Sequence, residues 1–185
     1  MIFKDHSKLK DQHAFLGASK YAWLNYTPEK LVEARKNFLA TQQGTVLHKF
    51  AADCITLGQK LPRSQKTLNL YVNDAIGFRM TPEQVLYYSP YCFGTADAIC
   101  VRDGQLRIHD LKTGKTPARM EQLYIYNALF CLEYNVRPME IETELRIYQS
   151  NKVFVESPNP EDIMGIMTQI VEFDKILSEL EADNV

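Results

Sequence analysis

Two carboxylates, Asp97 and Asp110, lie at positions whose spacing alone could bring them together. Between them, Asp103-Gly104 separates two stretches with alternating side-chain character, residues 93–102 and 105–112. An Asp-Gly pair in this setting predicts a β-hairpin with a two-residue turn. If these two residues form the turn, Asp97 pairs with Asp110, and directly opposed side chains have Cβ atoms about 5 Å apart.

Lys112 belongs to the same arrangement, because it pairs with Thr95 in this register and points to the same side as Asp110. The shared face is predicted to be apolar near the turn and charged at its far end. It carries Thr95, Asp97, Ile99, Val101, Leu106, Ile108, Asp110 and Lys112. Opposed like charges are destabilising unless something offsets them, and carboxylate oxygens suit Mg²⁺ or Mn²⁺. We therefore expect a divalent cation beside the two aspartates.

Two alternatives remain open for this hairpin. Asp110 and Lys112 could simply face water, since an Asp-x-Lys pattern is short and common. A bulge at Gly104 would shift the register and separate the two carboxylates. The pair therefore needs support from other parts of the chain.

Four short motifs occur in a fixed order around the hairpin. They are Gly44-Thr45-Val46-Leu47-His48, Gly94-Thr95-Ala96-Asp97, Asp110-Leu111-Lys112-Thr113-Gly114 and Gln122-Leu123-Tyr124-Ile125-Tyr126. This set resembles the G-x-x-x-H motif, the second motif, the D-x-K-T-G strand end and the Q-x-x-x-Y helix of RecB-like nucleases in the PD-(D/E)XK superfamily. Each motif is weak alone, but four in the family's order within residues 44–126 are fairly specific.

The resemblance implies a metal site and a catalytic lysine. His48, Asp97 and Asp110 would bind Mg²⁺ or Mn²⁺, together with the main-chain carbonyl of Leu111. Lys112 would orient or activate the attacking water and stabilise charge on the phosphate, so that Asp97, Asp110 and Lys112 are the catalytic residues. These types suit phosphodiester cleavage, which needs a nucleophilic water at neutral pH and a clamp for developing phosphate charge.

Contacts to DNA are expected from the segment after the hairpin. Gln122 and Tyr126 are four residues apart and share one helix face, and the resemblance implies that they touch the DNA backbone. Arg119 could reach a phosphate from near the same face, and Lys115 lies in the loop before the helix. Taken one at a time, His48 could be a hydrogen-bonded residue at the core edge, and Gln122 and Tyr126 could be ordinary helix surface and core.

Periodicity places these motifs in a small α/β fold. Helices are predicted over residues 27–40, 43–57, 65–76, 118–134 and 160–181, and strands over 84–89, 93–102, 105–112 and 139–149. This order predicts a small mixed sheet flanked by helices, and the resemblance implies a restriction-endonuclease-like core. At 185 residues, we expect a single domain over residues 1–185.

Composition narrows the cofactors. The cysteines are Cys54, Cys92, Cys100 and Cys131, without a C-x-x-C pair. We therefore expect buried, reduced thiols and no zinc site. Some RecB-like nucleases bind an iron–sulfur cluster through one early and three late cysteines, and because no cysteine follows Cys131, the resemblance implies no such cluster here. The net charge is −2, with a basic excess over residues 1–66 and an acidic excess over 156–185. The basic part could bind phosphate, or both parts could be solvated surface.

The ends and the apolar runs indicate the compartment. The segment Met1–His6 has no apolar core of a signal peptide, and the apolar run from Leu123 to Leu132 is too short to cross a bilayer. We therefore expect a cytoplasmic protein, in the host cytoplasm if the source is viral, without a membrane partner.

The resulting expectation is a metal-dependent DNA nuclease, by resemblance an exonuclease of recombination, repair or replication. The chain leaves no room for a helicase domain, so we expect it to act alone or with a separate recombination or replication protein, as compact phage nucleases do. One alternative is a nuclease-fold module that binds DNA or a protein without catalysis. Another is an unrelated α/β protein with a chance motif, which a wide separation of Asp97 from Asp110 would favour.

Overall fold

The computed structural model describes residues 15, 16 and 18–182. The expectation for Met1–His6 lies outside the described residues. The chain divides into two compact units, Met1–Gln43 and Gly44–Val185. All of the predicted site residues belong to the second unit, and the single-domain expectation for residues 1–185 stays a prediction.

The first unit contains a 3₁₀ segment, Ala18–Asn25, and the start of helix α1, Pro28–Leu57. The rings of Phe15 and Phe38 lie 5.3 Å apart, and the Arg35 guanidinium lies 5.2 Å from each ring centroid. The side-chain oxygen of Thr27 accepts the Lys30 amide at 3.3 Å, as expected for an N-cap.

Helix α1 corrects the prediction of two separate helices over 27–40 and 43–57. It is continuous, because the segment between them contains no proline. The Thr41 hydroxyl donates to the Asn37 carbonyl at 3.0 Å within the helix. A single glycine, Gly44, lowers helix propensity without ending the helix.

A five-stranded mixed sheet forms the centre of the second unit, in the order β1-β2-β3-β4-β5. Its strands are β1 Thr81–Ser89, β2 Cys92–Arg102, β3 Gln105–Lys112, β4 Glu142–Gln149 and β5 Lys152–Glu156. Only β3 and β4 are parallel, and helix α3, Glu121–Glu133, connects them. The predicted α/β class with a small mixed sheet is therefore confirmed. Strand β5 is absent from the sequence prediction; it follows a tight turn at Ser150 and Asn151, both with positive φ.

Helices cover both faces of this sheet. Helix α3 and helix α4, Pro160–Ala182, pack against one core cluster, which includes Leu86, Ile99, Leu106, Ile108, Leu123, Leu129, Leu145 and Ile147. The end of α1 and helix α2, Thr67–Gly77, pack against the other, which includes Ala51, Cys54, Tyr71, Val72, Ala75, Leu111 and Tyr148. The central strand β3 is therefore buried on both faces, whereas the sequence predicts one buried face.

Two residue-level expectations change with this packing. Val101, predicted to lie on the apolar face, is 47% exposed near the hairpin turn. The cysteines are all free, but only Cys54 and Cys131 are buried, while Cys92 and Cys100 are half-buried. In the part of the chain that the structure describes, no helix has the length and apolar character needed to cross a membrane.

The hairpin has the predicted register, but its ladder stops short of the aspartates. Pairs run from Arg102↔Gln105 to Ala98↔His109, so the turn is Asp103-Gly104 without a bulge. The predicted pairs Asp97 with Asp110 and Thr95 with Lys112 are not formed. Beyond this point, β2 stays paired with β1 and β3 stays paired with β4. The two strands therefore diverge, and we call the gap between residues 94–97 and 110–112 the fork.

Candidate active site

The carboxylate of Asp97 closes the narrow end of the fork. Its Oδ2 accepts the backbone N–H of Leu111 at 2.8 Å, taking the place of a ladder partner on β2. In an extended strand, the N–H and C=O of one residue point to the same side. The Leu111 carbonyl is therefore also directed toward the β2 side of β3, where the resemblance assigns it to a metal.

His48 reaches Asp97 from helix α1. Its Nδ1 lies 3.3 Å from Asp97 Oδ1, and its side chain is 30% exposed. The hydrogen bond to Asp97 raises the pKa of His48 above its usual value, against an opposing effect of burial. The imidazole therefore lies at the fork, in contact with the Asp97 carboxylate.

On the other arm of the fork, Lys112 links Asp110 to helix α3. Its Nζ lies 3.0 Å from Asp110 Oδ2 and donates to Gln122 Oε1 at 2.7 Å. Gln122 Nε2 in turn donates to the Tyr126 hydroxyl at 3.0 Å. Four of the predicted site residues therefore form one hydrogen-bonded chain.

Asp110 is the most buried of these side chains. The residue is 2% exposed. Burial, together with the charge of Asp97, raises the pKa of Asp110, and the Lys112 ammonium only partly offsets this. The charge of Asp97 therefore still acts on Asp110, although their strands have diverged.

Glu83 joins this group and was missed by sequence reasoning. On β1 it falls between the pairs Pro82↔Ala98 and Gln84↔Ala96, opposite Asp97. Ligand atoms of His48, Glu83 and Asp97 all lie within 4.8 Å of one another. Burial and the charge of Asp97 raise the pKa of Glu83. The predicted strand begins one residue later, at Gln84, so no sequence pattern marks this residue.

Two motif glycines allow close approaches around the site. A Cβ at Gly44 would lie 2.9 Å from Thr113 Oγ1, and a Cβ at Gly94 would lie 2.8 Å from Tyr126 Cε1. Any larger residue would force a neighbour to move. These glycines therefore bring α1 against the end of β3, and α3 against the β2 arm of the fork.

Lys115 and Arg119 do not join the hydrogen-bonded chain. Both are exposed in the segment between β3 and α3. Lys115 lines a cavity of about 260 Å³, together with Leu47, Thr67, Leu68, Leu111, Lys112, Thr113, Gly114 and Ser150.

The donor set of the fork matches a hard divalent cation. Asp97, Asp110 and Glu83 offer carboxylate oxygens and His48 offers an imidazole nitrogen, a combination that suits Mg²⁺ or Mn²⁺. His48, Glu83 and Asp97 lie closest together, while Asp110 is held by Lys112. Of the predicted ligands, the structure groups His48 and Asp97 with Glu83, and leaves Asp110 outside this group, paired with Lys112.

Comparison of the chain with protein-family models, with curated proteins and with solved structures gives no significant match.

Proposed function

We propose that this protein is a metal-dependent DNA nuclease of the PD-(D/E)XK type, in its RecB-like branch. The observation that supports this most strongly is Lys112 at the fork, bonded to the buried Asp110 and to Gln122, opposite the His48–Asp97 pair. A module that only binds DNA needs neither paired acids nor a lysine held against one of them.

The residues of the fork fit a divalent cation as ligands. His48, Glu83 and Asp97 have ligand atoms within 4.8 Å of one another and would hold it. Asp110 and the Leu111 carbonyl would complete the set. When bound, Mg²⁺ or Mn²⁺ supplies the Lewis acidity that makes water nucleophilic at neutral pH and neutralises phosphate charge. His48 can bind the cation only as the neutral imidazole, because an imidazolium has no lone pair for a metal.

Lys112 acts on the phosphate under attack. Its ammonium is aimed into the fork by Asp110 and Gln122, so it needs little reorganisation when negative charge develops. The Tyr126 hydroxyl, held by Gln122, offers a further donor at the same edge. Lys115 and Arg119, which are exposed beyond the strand, contact phosphates that flank the cut.

The direct test is incubation with end-labelled linear and circular DNA, with Mg²⁺, with Mn²⁺ or with EDTA. We expect cleavage only with the metal ion, and preferential degradation of linear DNA if the enzyme is an exonuclease. Asp110→Asn should abolish cleavage. Asp103→Asn is the matched control, because it makes the same chemical change in the hairpin turn, at the far end of β2 and β3. An Asn-Gly pair also forms this kind of two-residue turn.

The outcomes separate the proposal from its alternatives. Cleavage in excess chelator would remove the metal mechanism. DNA binding without cleavage under any metal condition would favour a non-catalytic module, and neither binding nor cleavage would favour a chance motif. Cleavage by Asp110→Asn at the wild-type rate would place the site elsewhere.

A further inference from the structure

Gln149 is a buried polar residue directly beside the fork. It ends strand β4 and pairs in parallel register with Lys112, the last residue of β3. It is only 5% exposed. None of the four motifs contains it, and none of the candidate site residues described above lies on strand β4.

The side-chain amide of Gln149 binds the loop that leaves β3. Its Nε2 donates to the carbonyls of Gly114 and Thr116, each at 2.8 Å. Its Oε1 accepts the N–H of Ala118 at 3.0 Å. Both amide hydrogens and one oxygen lone pair are therefore used on one stretch of backbone, which satisfies a buried amide well.

This loop has few other means of holding its shape. Residues 113–119 contain no helix or strand. Within the described chain, residues 114–118 make no backbone–backbone hydrogen bond outside the regular elements. The side-chain amide of Gln149 thus supplies this loop with the backbone hydrogen bonds that a strand or helix would otherwise provide.

The loop also carries the groups that the proposed function needs outside the fork. Lys115 lies between the two carbonyls bound by Gln149, and Arg119 follows the bound amide of Ala118. Helix α3, with Gln122, begins just after. A loop held in one conformation presents its cations without a further ordering cost when DNA binds.

We propose that Gln149 is a positioning residue that fixes the 113–119 loop, so that Lys115 and Arg119 meet the phosphates flanking the cut. The inference rests on the proposed DNA nuclease function for its ligand. The anchoring of the loop itself does not depend on that function. Gln149 touches no substrate; it acts through the backbone that it holds.

Trypsin tests the anchor independently of any activity, because it cuts after Lys115 and Arg119. We expect Gln149→Met, which keeps the side-chain length but removes all three hydrogen bonds, to raise cleavage at these two sites about tenfold or more. Cleavage sites and rates are followed by mass spectrometry on the folded full chain. The matched control is Gln105→Met, at the opposite end of β3, which should leave both rates unchanged. Equal rates in wild type and Gln149→Met would overturn the anchor.

DNA affinity and turnover test the positioning role. In Ca²⁺, Gln149→Met should bind DNA about tenfold more weakly, with a flatter salt dependence, while its saturating rate in Mg²⁺ changes less than about threefold. In a Lys115→Ala/Arg119→Ala background, Gln149→Met should add little, because the groups that it positions are gone. A full additional drop in affinity there would overturn the positioning role and leave only a structural one.

Two further measurements cover the other outcomes. Gln149→Glu keeps an acceptor for Ala118 but sets a carboxylate against two carbonyls, so it should loosen the loop at least as much as Gln149→Met. If neither variant folds by circular dichroism, amide hydrogen exchange of the wild type decides: an unprotected Ala118 N–H overturns the anchor. If the wild type neither binds nor cuts DNA, but trypsin still cuts Gln149→Met faster than the wild type, only the proposed function is overturned.

Discussion

At the scale of single residues, three basic side chains within eight positions have different surroundings. Lys112 is bonded to Asp110 and Gln122 at the fork, whereas Lys115 and Arg119 are exposed in the following loop. A view based on charge alone treats them alike. Under the proposed function, Lys112 acts in the transition state, whereas Lys115 and Arg119 act in DNA binding.

We predict that Lys112→Ala lowers the single-turnover rate in Mg²⁺ by about a hundredfold or more, with DNA affinity nearly unchanged. Lys115→Ala and Arg119→Ala should instead weaken binding and reduce the salt slope by about one unit for each phosphate that is no longer neutralised, while still cutting at saturation. The measurements are affinity against salt in Ca²⁺ and rates in Mg²⁺. A Lys112→Ala protein that binds DNA weakly but keeps its saturating rate would make the lysine a binding residue.

A second prediction concerns the stability of the metal-free protein. Because the folded state raises the pKa of Asp110, the charged carboxylate is disfavoured there, so this group opposes folding once the pH exceeds its folded pKa. Asp110→Asn should therefore leave the Tm in EDTA at pH 7.5 unchanged or higher, although it weakens the bond to Lys112. The comparison is repeated near pH 3. There the Asp110 carboxyl is protonated and as neutral as the asparagine amide, so the difference in Tm between the two proteins should disappear. A clear decrease in stability at pH 7.5 would show that the ion pair outweighs burial and repulsion.

At the scale of secondary-structure elements, helix α2 is capped from the distant β4–β5 turn. Asn151 Oδ1 accepts the Thr67 N–H at 3.1 Å, and the Asn151 N–H is bound by Thr67 Oγ1 at 2.7 Å. Residue 66 offers no side-chain cap to this helix. Helix α2 packs against β3 and β4. The Thr67–Asn151 pair therefore holds this helix to the end of the sheet where β4 turns into β5.

We predict that Asn151→Ala lowers the free energy of unfolding by about 2 kcal/mol, because it removes a cap and because alanine tolerates positive φ less well than asparagine. Asn151→Gly removes the cap but suits the backbone, so it should cost about 1 kcal/mol. Chemical denaturation of both variants separates the two contributions. Equal decreases in the two variants would mean that the backbone conformation contributes nothing.

At the scale of the whole molecule, metal binding should couple stability to pH. The folded state raises the pKa of His48, Glu83 and Asp110, so each contributes stability at low pH that is lost as the pH rises through its folded pKa. A cation needs these groups deprotonated. The stabilisation that it provides therefore increases as the pH rises.

We accordingly predict that saturating Mn²⁺ raises the Tm by about 5 °C at pH 8 relative to EDTA, and by much less at pH 5.5. The measurement is thermal unfolding in both conditions across this pH range. His48→Gln should reduce the gain from Mn²⁺ at pH 8. A gain independent of pH and of His48 would indicate binding outside the fork.

The fold class and the hairpin beside the candidate site could be predicted because their signals are local. Asp103-Gly104 defines the hairpin turn, and the turn defines the register as far as Ala98↔His109. Helix periodicity in the same way places Gln122 and Tyr126 on one face.

The remaining features depend on tertiary pairing. The fork exists because β2 stays paired with β1 while β3 stays paired with β4. The sequence pattern of the hairpin carries no information about these outer pairings. Glu83 could not be placed without the β1–β2 register, which shifts near the turn between Tyr87 and Ser89. The loop anchor Gln149 depends on the parallel pairing of β4 with β3, and a single chain sequence does not define that register.

The fork also has a consequence for the order in which the molecule folds. Zipping from the Asp103-Gly104 turn is fast and local, and it stops at Ala98↔His109. The bond from Leu111 to Asp97 needs both arms held, one by β1 and the other by β4 with its long-range parallel pairing, which forms slowly. Cation affinity should therefore emerge last during refolding, after the hairpin amides are already protected. Stopped-flow refolding with a Mn²⁺-sensitive signal, alongside pulsed amide exchange at Ile99 and Ile108, would detect this lag, and simultaneous appearance of the two signals would refute it.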